Sequence, residues 1–113
     1  MNNNLLLPRL STLTLARGGV PACLGYKGYT KTICTSINHV VCHGIPNDKP
    51  LREGDIVNVD VTLIVDGWHG DSSRMYYVGE VPRRAQRLCE ITYECLLRGI
   101  LCRMNVPQHL IGP

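Results

Sequence analysis

Apolar and polar positions alternate most strictly from Ile56 to Val65, where Val57, Val59, Val61, Leu63 and Val65 fall on one side and Asn58, Asp60, Thr62 and Ile64 on the other. A period of two over ten residues predicts a half-buried strand. Asp66-Gly67 closes it as a two-residue hairpin turn, and a return strand is predicted from Trp68 to about Val78. The apolar side needs a cover. Pro82 opens a helix in which Ala85, Leu88, Ile91, Thr92, Cys95, Leu96 and Gly99 recur at three- and four-residue steps, and this helix is expected to pack on the sheet. After Ile100 the period fades, and no further element is predicted for residues 101–113. The β-branched run Ile33 to Cys42 predicts another strand, broken by a turn at His43 to Asp48, while Gly25 to Tyr29 reads as a glycine-punctuated loop. Residues 1–19 show no period and end on Gly18-Gly19, as a flexible leader before a domain spanning 20–113. The expected class is therefore mixed α/β (α+β), an antiparallel sheet with a packed helix.

Composition narrows the function classes. With 113 residues, 44% of them hydrophobic and 19% charged, the chain makes one globular domain and is too short for two enzymatic lobes. No stretch reaches the roughly 18 apolar residues of a membrane span, so no membrane partner is expected. The net charge of +3 includes one basic cluster, Arg83, Arg84 and Arg87, which reads as a solvated helix face, and specific nucleic-acid binding is not expected. Six cysteines without a secretory signal point to reduced thiols rather than a disulfide framework, and no pair stands at the CxxC spacing of a zinc finger. A cytoplasmic location is expected. Residues 1–47 contain no Asp or Glu, which leaves import into a mitochondrion or another organelle as the alternative.

The hairpin carries the chemistry. A two-residue turn at Asp66-Gly67 sets Thr62 opposite Asp71 and Asp60 opposite Ser73, so Asp60 and Asp71 are diagonal neighbours on the side away from the core. Diagonal positions lie roughly 7–8 Å apart at the backbone, close enough for two carboxylates to converge on hard divalent cations. Thr62 stands between them and can orient one of them by a hydroxyl bond. Two solvated acids on an open face would give the same pattern. His43, next to the rigid Gly44-Ile45-Pro46 turn, can hold an imidazole over such a site, although His39, His69 and His109 compete for that role. Cys23, Tyr26, Tyr29 and Cys34 can line a pocket for an unbranched apolar or thioether side chain, or pack as ordinary core.

Taken in order, Pro21 to Tyr29, Cys34 to Pro46, Gly54 to Thr62 and Asp66 to Ser73 resemble the type I methionine aminopeptidases, over about Gly19 to Ile100. The resemblance implies part of a pita-bread fold, whose two related halves enclose two divalent ions (Co, Mn, Fe or Zn) and remove the initiator methionine from nascent proteins, near the ribosome. It assigns two of five metal ligands to Asp60 and Asp71, and assigns His43 to substrate contact and stabilisation of the tetrahedral intermediate. It further assigns the methionine pocket to Cys23, Tyr26, Tyr29 and Cys34, and a monovalent-cation site to Asn38 and Val40. The family's other three ligands, a histidine and two glutamates, belong to a second half. Glu90, Glu94 and His109 stand in none of the corresponding motifs, and Met1 to Arg17 stands where the family has a helical part.

The chain is thus expected to be the first half of such an enzyme, not catalytic alone because a hydrolytic metal needs several fixed ligands, and with apolar surface left open. A non-catalytic half that binds a partner through its basic face is the alternative. A prolidase-like peptidase is the third reading, disfavoured by the Cys/Tyr pocket.

Overall fold

The computed structural model describes residues 6–105, so the competing His109 lies outside the described residues. The chain divides into two compact units, Met1–Val81 and Pro82–Pro113.

In the first unit, helix α1 (Leu6–Ala16) leads into β1 (Val20–Pro21), β2 (Cys34–Ile37), β3 (Ile56–Val65) and β4 (Trp68–Tyr77), all in one antiparallel sheet. The expected hairpin forms in the expected register, with Asp60 opposite Ser73, Thr62 opposite Asp71 and Val65 opposite Trp68. Its turn places Asp66 at φ 50° and Gly67 at φ 83°, the left-handed pair that matches the twist of the two strands. β4 accompanies β3 along its whole length, so β1 and β2 share the other edge of β3, end to end. β2 lies on the first half of β3, with Cys34 opposite Asp60 and Ile37 opposite Val57, and β1 on the last turn of it, with Val20 opposite Ile64. The buried residues gather around β2 and the start of β3: Ile33, Cys34, Thr35, Ser36, Ile56 and Val57. Burial fades along β3, and at its far end Val65 and Trp68 are exposed, the latter by 82%.

Three expectations are corrected. Residues Leu6–Ala16 are helical rather than aperiodic. Pro8 is tolerated because the N–H groups of a first turn have no partner within the helix anyway. Gly18, at φ 77°, then ends the helix as a left-handed cap, with its N–H on Leu15 O at 3.0 Å and that of Gly19 on Thr14 O at 3.0 Å. The hydroxyls of Ser11 and Thr32 share a hydrogen bond of 2.9 Å that ties α1 to the approach of β2.

The second correction is that β2 stops at Ile37 instead of running to Cys42. Asn38 turns the chain at φ 53°, and its side chain fixes the turn, Oδ1 accepting from Ile56 N at 3.1 Å and Nδ2 donating to Asp55 Oδ1 at 2.8 Å. The second Asp55 oxygen takes the Arg52 N–H at 2.8 Å. These two donors hold the Asp55 carboxyl below the usual carboxylate range. Asn38→Ala is expected to cost about 2 kcal/mol, from two lost hydrogen bonds and a left-handed backbone that alanine tolerates poorly. Asn38→Gly should recover the backbone part alone, a split that thermal melting of the two variants will read.

The second unit contains helix α2 (Arg83–Asn105), which starts at the expected proline, with Ala85 N on Pro82 O at 2.8 Å. It runs past Ile100, the third correction. Leu101, Cys102, Arg103 and Met104 include no breaker, and Arg103 suits the negative end of the helix dipole. Glu94 is engaged locally, accepting from Arg98 Nε at 3.0 Å one turn on.

Candidate metal centre

β3 and β4 place Asp60 and Asp71 on the same face, close enough for each carboxyl to feel the charge of the other. Two carboxyls this close cannot both ionise freely. Partial burial, followed by the charge of Asp71 and the bond to it, raises the Asp60 pKa above the ordinary carboxylate range, while the nearby His43 pulls it back. Thr62 Oγ1 donates to Asp71 Oδ1 at 2.8 Å, the orienting bond expected from the register.

β2 brings the rest of the cluster from the opposite edge. Cys34 lies across from Asp60, with Tyr29 and Cys23 near enough to influence its thiol. The Tyr29 hydroxyl is shared between Ile33 O and Gly44 O, 3.1 Å from each. Burial, then the neighbouring Cys34, pushes the Tyr29 phenol far up, and burial with the nearby Cys23 and Asp60 pushes the Cys34 thiol up. Both groups are therefore neutral at physiological pH, a suitable lining for an uncharged side chain.

His43 reaches this face because the chain doubles back on β2. Thr35 N donates to Gly44 O at 2.8 Å, and Gly44 N donates to Ser36 Oγ at 3.1 Å. His43 itself adopts φ 56°, a left-handed conformation that is uncommon for a residue with a side chain. Pro46 is fully buried behind it and anchors the turn.

Not every sequence candidate joins the cluster. Tyr26 lies in the short turn Tyr26–Gly28, is 66% exposed, and has the Lys27 ammonium 5.5 Å over its ring. Asn38 and Val40 stand at the end of β2, where Val40 N bonds Ile37 O at 3.1 Å and the Asn38 amide is engaged at both ends. Among the described residues no group of three or more His, Cys, Asp or Glu side chains forms a metal-holding cluster. Asp60 and Asp71 are what this region offers a metal, and they fit one: paired oxygen donors, one partly buried, whose mutual repulsion a hard cation would relieve. Sequence reasoning missed Ser36 as the anchor of the His43 turn, and nothing local marks it. The hairpin register placed Ser73 opposite Asp60, as expected.

The profile of metallopeptidase family M24 matches residues 9–108. The chain belongs to that family. Among M24 relatives it is 64% identical over 85 residues to a methionine aminopeptidase of Rickettsia prowazekii, an alignment covering 75% of this chain and 33% of the relative. It is 62% identical over 78 residues to that of Escherichia coli K12, covering 68% and 30%, and 49% identical over 101 residues to methionine aminopeptidase 1B, chloroplastic, of Arabidopsis thaliana, covering 88% and 27%. The M24 chain thus spans about a third of the length of these relatives. The crystal structure of the Rickettsia prowazekii methionine aminopeptidase superposes with a TM-score of 0.86 at 56% identity, covering 88% of this chain and 40% of that one. The Thermotoga maritima enzyme gives 0.83 at 35% identity, covering 86% and 39%. The antiparallel sheet with its helix is part of the M24 pita-bread fold, as the resemblance implied.

Proposed function

We propose that the chain serves methionyl aminopeptidase chemistry, the removal of the initiator methionine from nascent polypeptides, and supplies two of the five ligands of a dinuclear centre. The observation that carries this reading is the meeting of Asp60, Asp71 and His43 on one face beside Cys23, Tyr29 and Cys34. Divalent ions held there would supply Lewis-acid activation of water and of the scissile carbonyl. Asp60 and Asp71 would hold them, with Thr62 fixing the orientation of Asp71. His43 would donate to the oxygen on which negative charge develops, a role that needs the fixed position its turn provides. Cys23, Tyr29 and Cys34, with Tyr26 at the exposed end, would receive the thioether side chain through sulfur and ring-edge contacts.

Which of Co, Mn, Fe or Zn occupies such a centre depends on availability as much as on these oxygen donors. A monovalent cation at Asn38 and Val40 would take backbone carbonyls, since the Asn38 amide is already engaged. The substrate setting is the nascent chain near the ribosome. The compartment we favour is the cytoplasm, with an organelle as the alternative, in keeping with a relative named as chloroplastic.

A segment exchange tests the reading. Residues 20–81 replace the corresponding segment of the Rickettsia prowazekii relative, and methionine release from a Met-Gly peptide is followed with added Mn²⁺ or Co²⁺. Metal-dependent release that falls to background in Asp60→Asn is the expected outcome. A folded, metal-loaded exchange protein that releases no methionine, or releases other N-terminal residues equally well, would overturn it.

A further inference from the structure

β1 and β2 abut on one edge of β3, and each delivers a cysteine to the junction. Ala22 N bonds Thr62 O at 2.9 Å, which extends the β1 register by one residue, and Cys34 lies opposite Asp60. These positions are two residues apart along β3, about 7 Å. Cys23 follows Ala22 into that gap. Both cysteines are free, and Cys23 is half-buried while Cys34 is 5% exposed. Two cysteines carried by backbone segments pinned to neighbouring positions of the same strand are brought into the range in which a disulfide can form.

We propose that Cys23 and Cys34 form a redox-responsive dithiol that a peroxide oxidises to an intramolecular disulfide. Cys23, the more accessible, attacks first: its sulfur bonds one peroxide oxygen, the O–O bond breaks, and water leaves with the displaced oxygen, giving a sulfenic acid. The Cys34 sulfur then bonds the Cys23 sulfur, the S–O bond breaks, and the hydroxyl departs as a second water with the Cys34 proton. The two thiols lose two electrons and two protons, and the peroxide is reduced to two waters. A dithiol reverses the reaction by exchange. Such a pair is at home in a reducing compartment, where disulfides are typically transient and redox-sensing. Oxidation leaves no thiol facing Asp60 and changes the lining offered to a substrate side chain, a consequence that rests on the pocket reading above.

The test is covalent and independent of catalysis. A variant with Cys42→Ser, Cys95→Ser and Cys102→Ser removes the exposed thiols and keeps Cys23, Cys34 and the buried Cys89. The folded protein is treated with hydrogen peroxide, capped with N-ethylmaleimide and digested with trypsin without reductant. A peptide containing Cys23 linked to one containing Cys34 is expected, reversible by dithiothreitol and roughly tenfold more abundant than in urea-unfolded chain. Adding Cys34→Ser should abolish the link and leave Cys23 as a sulfenic acid that dimedone traps. Equal linkage of Cys23 to Cys89, equal yield in urea, or oxidation of Cys23 only to sulfinic or sulfonic acid would overturn the proposal. Failure of the segment exchange would leave this result standing, and failure of the cross-link would leave the metal reading standing.

Discussion

Gly44→Ala is expected to destabilise the chain by roughly 3 to 5 kcal/mol and to release the turn that carries His43. A Cβ at this position would lie 2.2 Å from Thr35 O, 2.8 Å from Thr35 C and 3.0 Å from Ser36 Cα. All three are backbone atoms of β2, whose other edge is already paired, Thr35 with Val59 and Ser36 with Asn58. Nothing there can rotate aside. The turn must lift away, which breaks the Thr35 bond to Gly44 O, the Gly44 bond to Ser36 Oγ and the Tyr29 hydroxyl bond to Gly44 O. The loss is a large share of the 5–15 kcal/mol that typically holds a domain together. Gly70→Ala is the control, because a Cβ there meets nothing within 4 Å, and its effect should stay within about 0.5 kcal/mol. Denaturant melts of the two variants, with amide exchange read at Thr35, decide the matter; equal midpoints and an undiminished Thr35 amide protection would refute it.

The contrast between Gly44 and the hairpin explains which parts of the molecule were legible. Asp66-Gly67 is a two-residue turn, and such a turn dictates the pairing of both its strands, so the diagonal of Asp60 and Asp71 followed from local chemistry alone. β2 meets β3 through a long connection from Asn38 to Asp55, whose length leaves the register open, so the placement of Cys34 across from Asp60 had no signature in the residues themselves. For Cys23, Tyr29 and Cys34 the residues alone therefore left a pocket and ordinary packing both open, and only the family resemblance chose the pocket. Strand β2 was overextended because Val40 and Val41 look like strand residues, while the Asn38 side chain, bonding both Asp55 and Ile56, overrides them. Helix α1 was missed because residues 1–19 carry no clear apolar period, and the Gly18-Gly19 pair that reads as a linker is the cap that ends the helix. β1, two residues long, is too short for any periodicity.

Asp60→Asn is expected to stabilise the chain without metal, by no more than about 1 kcal/mol, and to remove its response to Mn²⁺. The sign follows from linkage. An acid whose pKa is raised on folding holds its proton more tightly in the folded state, so the stability tied to Asp60 is fullest below its ordinary value of 3.8 and declines as pH rises through the raised folded value. Asp55 works in the opposite sense: its lowered pKa gives stability that is present above 3.8 and is lost as pH falls through the folded value. Melting temperatures measured between pH 3 and 8 should therefore lose the Asp60 contribution in Asp60→Asn and keep that of Asp55. A bound divalent ion inverts the energetics of the pair, because the repulsion that penalises two carboxylates becomes attraction to a shared cation. At tenfold excess over its dissociation constant, Mn²⁺ should stabilise the parent by about 1.4 kcal/mol. Neither Asp60→Asn nor Asp71→Asn should respond, since each leaves a single carboxylate where two converge. Mn²⁺ raising all three midpoints equally would place the ion elsewhere, and Asp60→Asn melting below the parent in metal-free buffer would mean that the contact between the carboxyls stabilises rather than strains the fold.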